Sequence, residues 1–171
     1  MSTSKAAEPW HAAFPAPSIT APLMARRRAM QMLSLKGVAA VLIVDVRGID
    51  LEGGMIRGSL NIPAKGFWWN RGILYELAYK ADLQWVVFTC GSSNGRGPRC
   101  ASWFLSYVRD QMGDENMQVM TLEGGINGWV KDGPQYTRLM DGFDEQHWKD
   151  FFAEEDATKT CNQQAGTTEQ P

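Results

Sequence analysis

Cys90-Gly-Ser-Ser-Asn-Gly-Arg96 sets a thiol and a guanidinium six positions apart with only small residues between them. A loop of this kind, with two glycines, turns successive backbone N–H groups inward to form an anion nest. Gly97-Pro98 follows, and proline is at home in the first turn of a helix, so a helix N-terminus adds positive potential at the same place. Arg96 clamps two oxygens of a tetrahedral oxyanion in its planar fork. The groups that hold an anion also favour a thiolate, which makes Cys90 a candidate nucleophile. Cys90 and Arg96 are therefore the candidate catalytic residues, with Gly91, Ser92, Ser93, Asn94 and Gly95 as the oxyanion-binding loop. Either residue alone is unremarkable, since a single Cys is commonly a small buried hydrophobe. It is the constellation in one place that carries the chemistry.

The elements around the loop must hold it. Trp85-Val-Val-Phe-Thr89 reads as a short buried strand leading into Cys90, and the helix begun near Pro98 runs through Trp103, Leu105 and Val108 to about Met112. Val38 to Val46 is a nearly continuous β-branched run, expected as a strand covered on both faces. Thr20 and Pro22 are expected to open a helix in which Leu23, Met24, Met30 and Leu33 supply apolar positions. Phe67 to Lys80 predicts a helix, Val119 to Leu122 a third strand, Gly124-Gly125 a turn into a short helix, and Phe143 to Phe152 a closing helix. Strands alternating with helices imply an α/β fold with a parallel sheet and helices on both faces. Ligands in such sheets sit beyond the carboxyl ends of the strands, where Cys90 falls.

At 171 residues and 19.1 kDa the chain fits one domain. Residues 1–17 and 153–171 are expected to be flexible extensions around a domain spanning 18–152. The 17 Lys+Arg against 19 Asp+Glu leave a net charge of -2, too balanced for a nucleic-acid carpet. No window approaches a membrane span, and Pro9, Pro15 and Pro17 interrupt the N-terminus where a signal peptide would lie. Three cysteines make no closed disulfide framework and show no zinc spacing. The expectation is a reducing compartment, cytoplasmic or nuclear, with no metal, no bound cofactor, no nucleic-acid partner and no membrane partner.

Four blocks occur in order: Val44-Asp-Val-Arg47; Glu52-Gly-Gly-Met-Ile-Arg-Gly-Ser-Leu-Asn-Ile-Pro63; Cys90 to Arg96; and Leu122-Glu-Gly-Gly-Ile-Asn-Gly-Trp129. Together they resemble the rhodanese superfamily over roughly residues 18 to 135. The resemblance implies a single rhodanese-like domain with a central parallel sheet of about five strands. The superfamily's sulfurtransferases have an active loop one residue shorter, sized for a persulfide. The Cys-x5-Arg loop here is similar to the branch of dual-specificity phosphatases that activate cell-cycle kinases and of eukaryotic arsenate reductases. That branch carries His before its nucleophile and in a Gly-His-Ile block, where this chain has Thr89 and Met55.

Arsenate reduction is the leading expectation, with arsenate or a phosphate ester as the oxyanion substrate. The loop interior lacks the acidic residue with which the cell-cycle phosphatases precede their arginine, which ranks a cysteinyl-phosphate phosphatase second. Thiosulfate sulfurtransfer and a non-catalytic binding module come after. Thr89 has a hydroxyl to donate, Asp45 lies at a strand end near the loop, and Arg99 adds positive field at its mouth. The resemblance gives Asp45 a structural role and implies glutathione and a glutaredoxin as external reductants. Arg47 with Glu52 reads as a fold-holding ion pair. Cys100 and Cys161 are the candidate resolving thiols, Cys100 being expected more as packing. Phe67-Trp68-Trp69 and Tyr75 are expected to pack, and neither His11 nor His147 has a ligand-like neighbour in sequence.

Overall fold

The structure, a computed structural model, describes residues 8–165 and their side chains as far as Lys159. The elements in chain order are β1 (Leu23–Met24), α1 (Arg26–Lys36), β2 (Leu42–Asp45), β3 (Met55–Ile56), β4 (Leu60–Asn61), α2 (Ala64–Lys80) and β5 (Trp85–Thr89). These are followed by α3 (Arg96–Ser106), β6 (Gln118–Leu122), α4 (Gly125–Lys131), α5 (Pro134–Thr137), β7 (Met140–Asp141) and α6 (Glu145–Ala165). Five strands form a parallel sheet in the order β1-β6-β5-β2-β4, and β3 pairs antiparallel with β7 beside it.

Alternation along the central strands divides the core in two. Val44, Val86 and Phe88 face Phe67, Leu74 and Phe104 of α2 and α3. Ile43, Val87 and Leu122 face Leu33, Ile126 and Trp129 of α1 and α4. Register brings Asp45 opposite Thr89 and Phe88 opposite Thr121. The loops after β2, β5 and β6 therefore leave from one edge of the sheet, and that shared edge assembles the site.

The chain departs from its sequence pattern in four places. Leu23 and Met24 are not helical: they add an edge strand to β6, with Thr121 donating to the Pro22 carbonyl at 2.8 Å and Glu123 to the Met24 carbonyl at 3.0 Å. An edge position tolerates Pro22, which has no N–H to give. The run from Val38 enters the sheet only at Leu42, because Gly37, at φ +65°, bends Gly37–Ala39 into a 3-10 turn and leaves Val38 exposed. The closing helix continues past Phe152 to Ala165. Trp10 and Phe14, within the stretch expected to be loose, pack against the core, where Trp103 Nε1 donates to the Pro15 carbonyl at 2.8 Å. Among the described residues no helix is long and apolar enough to cross a membrane.

Asp45 and Arg47 form a fully buried ion pair that shapes the loop after β2, with Arg47 Nη2 at 2.7 Å from Asp45 Oδ2. Arg47 also donates to the carbonyls of Glu52 at 3.0 Å and Gly54 at 2.7 Å, so its fork is spent on folding residues 47–54. This corrects the expected pairing of Arg47 with the Glu52 carboxylate, of which only the backbone is used. Asn61 closes the arrangement by donating to the carbonyls of Asp45 and Arg47, both at 2.9 Å. Asp45→Asn is expected to lower the unfolding free energy by about 3–5 kcal/mol, because it strands a buried guanidinium. Adding Arg47→Met removes the stranded charge and recovers part of the loss. Denaturant titration checks both, and a double variant no more stable than Asp45→Asn refutes the account.

Candidate active site

Cys90 is the first residue beyond β5 and is buried. Its Sγ accepts the Gly97 N–H, from the first turn of α3, at 3.3 Å. Gly97 has no side chain to intrude there: a Cβ would lie 3.4 Å from that sulfur and 3.3 Å from Ser93 Oγ.

α4 grips the loop from the other side. Ile126 donates to the Cys90 carbonyl and Asn127 to the Gly91 carbonyl, both at 3.0 Å. Gly125 makes this possible, with φ at +59° and an added Cβ falling 2.3 Å from the Gly91 oxygen. Within each planar trans peptide the carbonyl and the next amide point in opposite directions. The two captured carbonyls thus turn the Gly91 and Ser92 amides away from α4. Among the described residues, the amides of Gly91 to Gly95 make no hydrogen bond. Ser93 takes the left-handed conformation at φ +55°, and its buried hydroxyl has no partner.

Arg96 grips a carboxylate that nothing in the spacing pointed to. Its Nη1 lies 2.7 Å from Asp50 Oδ1 and its Nη2 2.5 Å from Asp50 Oδ2, a parallel two-bond clamp. Those bonds above all hold the Asp50 carboxyl well below the usual carboxylate range, and Asp50 raises Arg96 in return. Both side chains are partly open to solvent. A cleft of about 300 Å³ opens beside the pair, lined on the loop side by Gly91 and Ser92 and on the other by His147, Trp148 and Phe151 of α6. Trp148 Nε1 donates to the Gly53 carbonyl at 2.7 Å. Gly53, at φ +72°, is bare where a Cβ would strike His147 Cδ2 at 2.4 Å. Asp50 and Asn127 were missed from sequence, Glu52 was read only as a partner of Arg47, and His147 was set aside for want of a ligand-like neighbour; the one available signal was that their segments follow strands ending at the same edge, or close the chain onto it.

The supporting residues take different places. Thr89 is fully buried and its hydroxyl donates to the Cys90 carbonyl at 3.2 Å, not to the sulfur. Asp45 stands behind the loop with Arg47. Arg99 lies 5.9 Å from the Trp103 ring. Cys100 is sealed in the core, where burial foremost, and then Cys90, push its thiol above the ordinary cysteine range. The Cys161 side chain lies outside the described residues. Met55 belongs to β3 and pairs with Asp141. Phe67 and Tyr75 are buried and Trp68 partly so, whereas Trp69 is exposed.

The model of the Rhodanese-like domain matches residues 27–132. The chain belongs to this family. Within it, the rhodanese-like chain is 32% identical over 113 residues to the dual specificity phosphatase Cdc25 of Arabidopsis thaliana, covering 65% of this chain and 76% of that protein. It is 36% identical over 106 residues to arsenate reductase 2.1 of Oryza sativa subsp. japonica, covering 59% of this chain and 63% of that one. Ygr203w, a yeast protein tyrosine phosphatase of the Rhodanese family, superposes with a TM-score of 0.59 at 26% identity, over 77% of this chain and 99% of its own. The As-Sb reductase of Leishmania major shares the fold, with a TM-score of 0.55 at 22% identity over 70% and 84% of the two chains.

Because Asp50 occupies the fork an anion would use, Asp50→Ala is expected to tighten inorganic phosphate binding by about two- to fivefold. That range corresponds to the ~1 kcal/mol or less that a solvent-open pair contributes. Calorimetric titration measures it, and unchanged or weaker binding means that the two do not compete. Gly125→Ala forces a side chain into the left-handed region and against a backbone oxygen, and is expected to cost more than ~2 kcal/mol and to abolish phosphate binding together.

Proposed function

We propose that this rhodanese-like chain is a thiol-dependent enzyme acting on a tetrahedral oxyanion, and that it reduces arsenate to arsenite with Cys90 as nucleophile. The observation that carries this reading is the Arg96 fork closed on the two oxygens of Asp50 beside a thiol that faces the start of α3. A carboxylate and one face of an arsenate offer the same pair of oxygens to a guanidinium. Arsenate takes the place of Asp50 on Arg96, and the free amides of Gly91 to Gly95 receive its remaining oxygens.

The Cys90 thiolate then attacks arsenic; a sulfur–arsenic bond forms, an arsenic–oxygen bond breaks, and the oxygen leaves as water after taking up protons. A second thiolate attacks Sγ, forming a disulfide, and the electron pair of the sulfur–arsenic bond passes to arsenic, which falls from the +5 to the +3 state. Cys100 is a poor source of that thiol, being sealed in the core. Glutathione supplies it, and a glutaredoxin restores Cys90 from the mixed disulfide. The rice relative named an arsenate reductase supports this assignment.

Phosphomonoester hydrolysis through a cysteinyl-phosphate is the second reading, favoured by the Arabidopsis relative named a phosphatase. The two share a first step, the attack of Cys90 on the central atom. Glutathione- and glutaredoxin-coupled arsenate reduction, followed through NADPH and glutathione reductase, is to be run beside phenyl phosphate hydrolysis. Cys90→Ser is expected to lower either activity at least about a thousandfold. Arg96→Lys keeps the charge but loses the fork, and is expected to raise the oxyanion KM by about tenfold or more. Hydrolysis without reduction moves the protein to the phosphatase reading. Silence of the wild type in both assays overturns the enzymatic reading in favour of a binding module.

A further inference from the structure

Both readings leave a proton unassigned. Attack by Cys90 from the floor of the loop expels the oxygen opposite the sulfur, on the outward side, and that oxygen needs a proton unless it is already a stable anion. No residue between Cys90 and Arg96 is an acid. Gly91, Ser92 and Arg96 of the loop line one cleft together with His147, Trp148 and Phe151 of α6.

The ionisable groups of that cleft reduce to one proton donor suited to neutral pH. Asp50, once an oxyanion has displaced it from Arg96, is a carboxyl of a type ordinarily ionised at neutral pH, and Arg47 and Arg96 do not release protons. Glu52 and His147 remain, with His147 Nδ1 3.8 Å from Glu52 Oε2. An imidazole ordinarily changes charge between about pH 5 and 8, where such a donor is of use. His147 is also held in place. Asp144 accepts its backbone amide at 3.0 Å, the Phe151 ring stacks beside it at 22°, and bare Gly53 lets it approach the loop after β2.

We propose that His147, on the closing helix, is the proton donor to the oxygen that leaves when Cys90 attacks, with Glu52, 3.8 Å from its Nδ1, as the positioning residue that orients its ring. This rests on the oxyanion reading given above. In the first step the imidazolium gives its proton to the departing oxygen, which keeps the electron pair of the broken bond; arsenate thereby loses water and a phosphate ester loses an alcohol. With a phosphate ester the neutral imidazole then takes a proton from the water that hydrolyses the cysteinyl-phosphate. The charged groups around His147 are Glu52 at 3.8 Å from its ring, Arg47, Asp50 and Arg96, which line the same cleft, and Asp144, which accepts its backbone amide.

The test compares wild type and His147→Gln on two aryl phosphates. Phenyl phosphate expels an oxygen that needs a proton, whereas 2,4-dinitrophenyl phosphate expels a stable anion. The expected result is a kcat loss of about a hundredfold on phenyl phosphate and less than about threefold on the dinitrophenyl ester. Equal losses on both esters, or none, overturn the assignment, since a merely structural role does not distinguish leaving groups. The pH profile of arsenate reduction is the second readout. Wild-type kcat is expected to fall as pH rises and His147→Gln to remove that fall, while Glu52→Gln, which leaves the ring unanchored, is expected to lower kcat more on phenyl phosphate than on the dinitrophenyl ester. A profile that keeps its alkaline fall in His147→Gln overturns the proposal even where phenyl phosphate proves a poor substrate. A wild type inactive on all three substrates overturns the oxyanion reading, and this inference with it; an active wild type with unchanged variants overturns this inference alone.

Discussion

Two hydrogen bonds, from the amides of Ile126 and Asn127 to the carbonyls of Cys90 and Gly91, decide which way the candidate loop faces. A planar peptide cannot turn its carbonyl toward α4 without turning the next amide the other way. Capture of two carbonyls therefore orients two donors, and the small residues that follow need only continue the curve. Gly125 is the condition for this arrangement. Any side chain there would occupy the space of the carbonyl oxygens themselves, 2.3 Å and 2.5 Å from the missing Cβ. The block around Gly124-Gly125 thus belongs to the loop as much as Cys90 does, although they stand more than thirty positions apart.

The two arginine–carboxylate pairs near the loop have similar geometry and opposite consequences, and burial separates them. Asp45–Arg47 is inaccessible to water, and breaking such a pair costs about 3–5 kcal/mol, so it works as a fixed strut. Asp50–Arg96 is partly open, where such a pair contributes at most ~1 kcal/mol. An oxyanion arriving at Arg96 would displace Asp50 at small cost, and until then Asp50 keeps the Arg96 fork pointed. Rigid charge beneath and exchangeable charge above are what a site for a soluble anion requires. The strut holds the loop that carries Asp50, so the exchangeable pair depends on the buried one.

The sequence made legible what lies close along the chain. Trp85–Thr89 was readable as a strand from its apolar run, and Cys90 to Gly95 as a loop leading into a helix from its small residues, because the physics of both is local. Leu23–Met24 read as helix since helical spacing to Met30 and Leu33 was genuine; pairing with β6 prevailed, a tertiary contact no local pattern encodes. Val38 to Val46 overstated its strand because β-branched residues also fill the turn and bend before Leu42. Asp50 stands 46 positions from Arg96 and His147 lies 95 positions from Glu52, so only the fold brings these partners together. The residue roles that escaped were those assigned by the shared edge of the sheet rather than by spacing.

The absence of histidines at positions 55 and 89 looks different once the fold is in view. Met55 is committed to the β3–β7 pair, and Thr89 spends its hydroxyl on the Cys90 carbonyl, so neither place bears on the sulfur directly. What does bear on it is the Gly97 amide at the start of α3. A peptide dipole carries its partial charge at every pH. The sulfur is thereby supported by a backbone group whose direction the fold fixes, while the imidazole of this site, His147, stands with Glu52 on the cleft beside the loop.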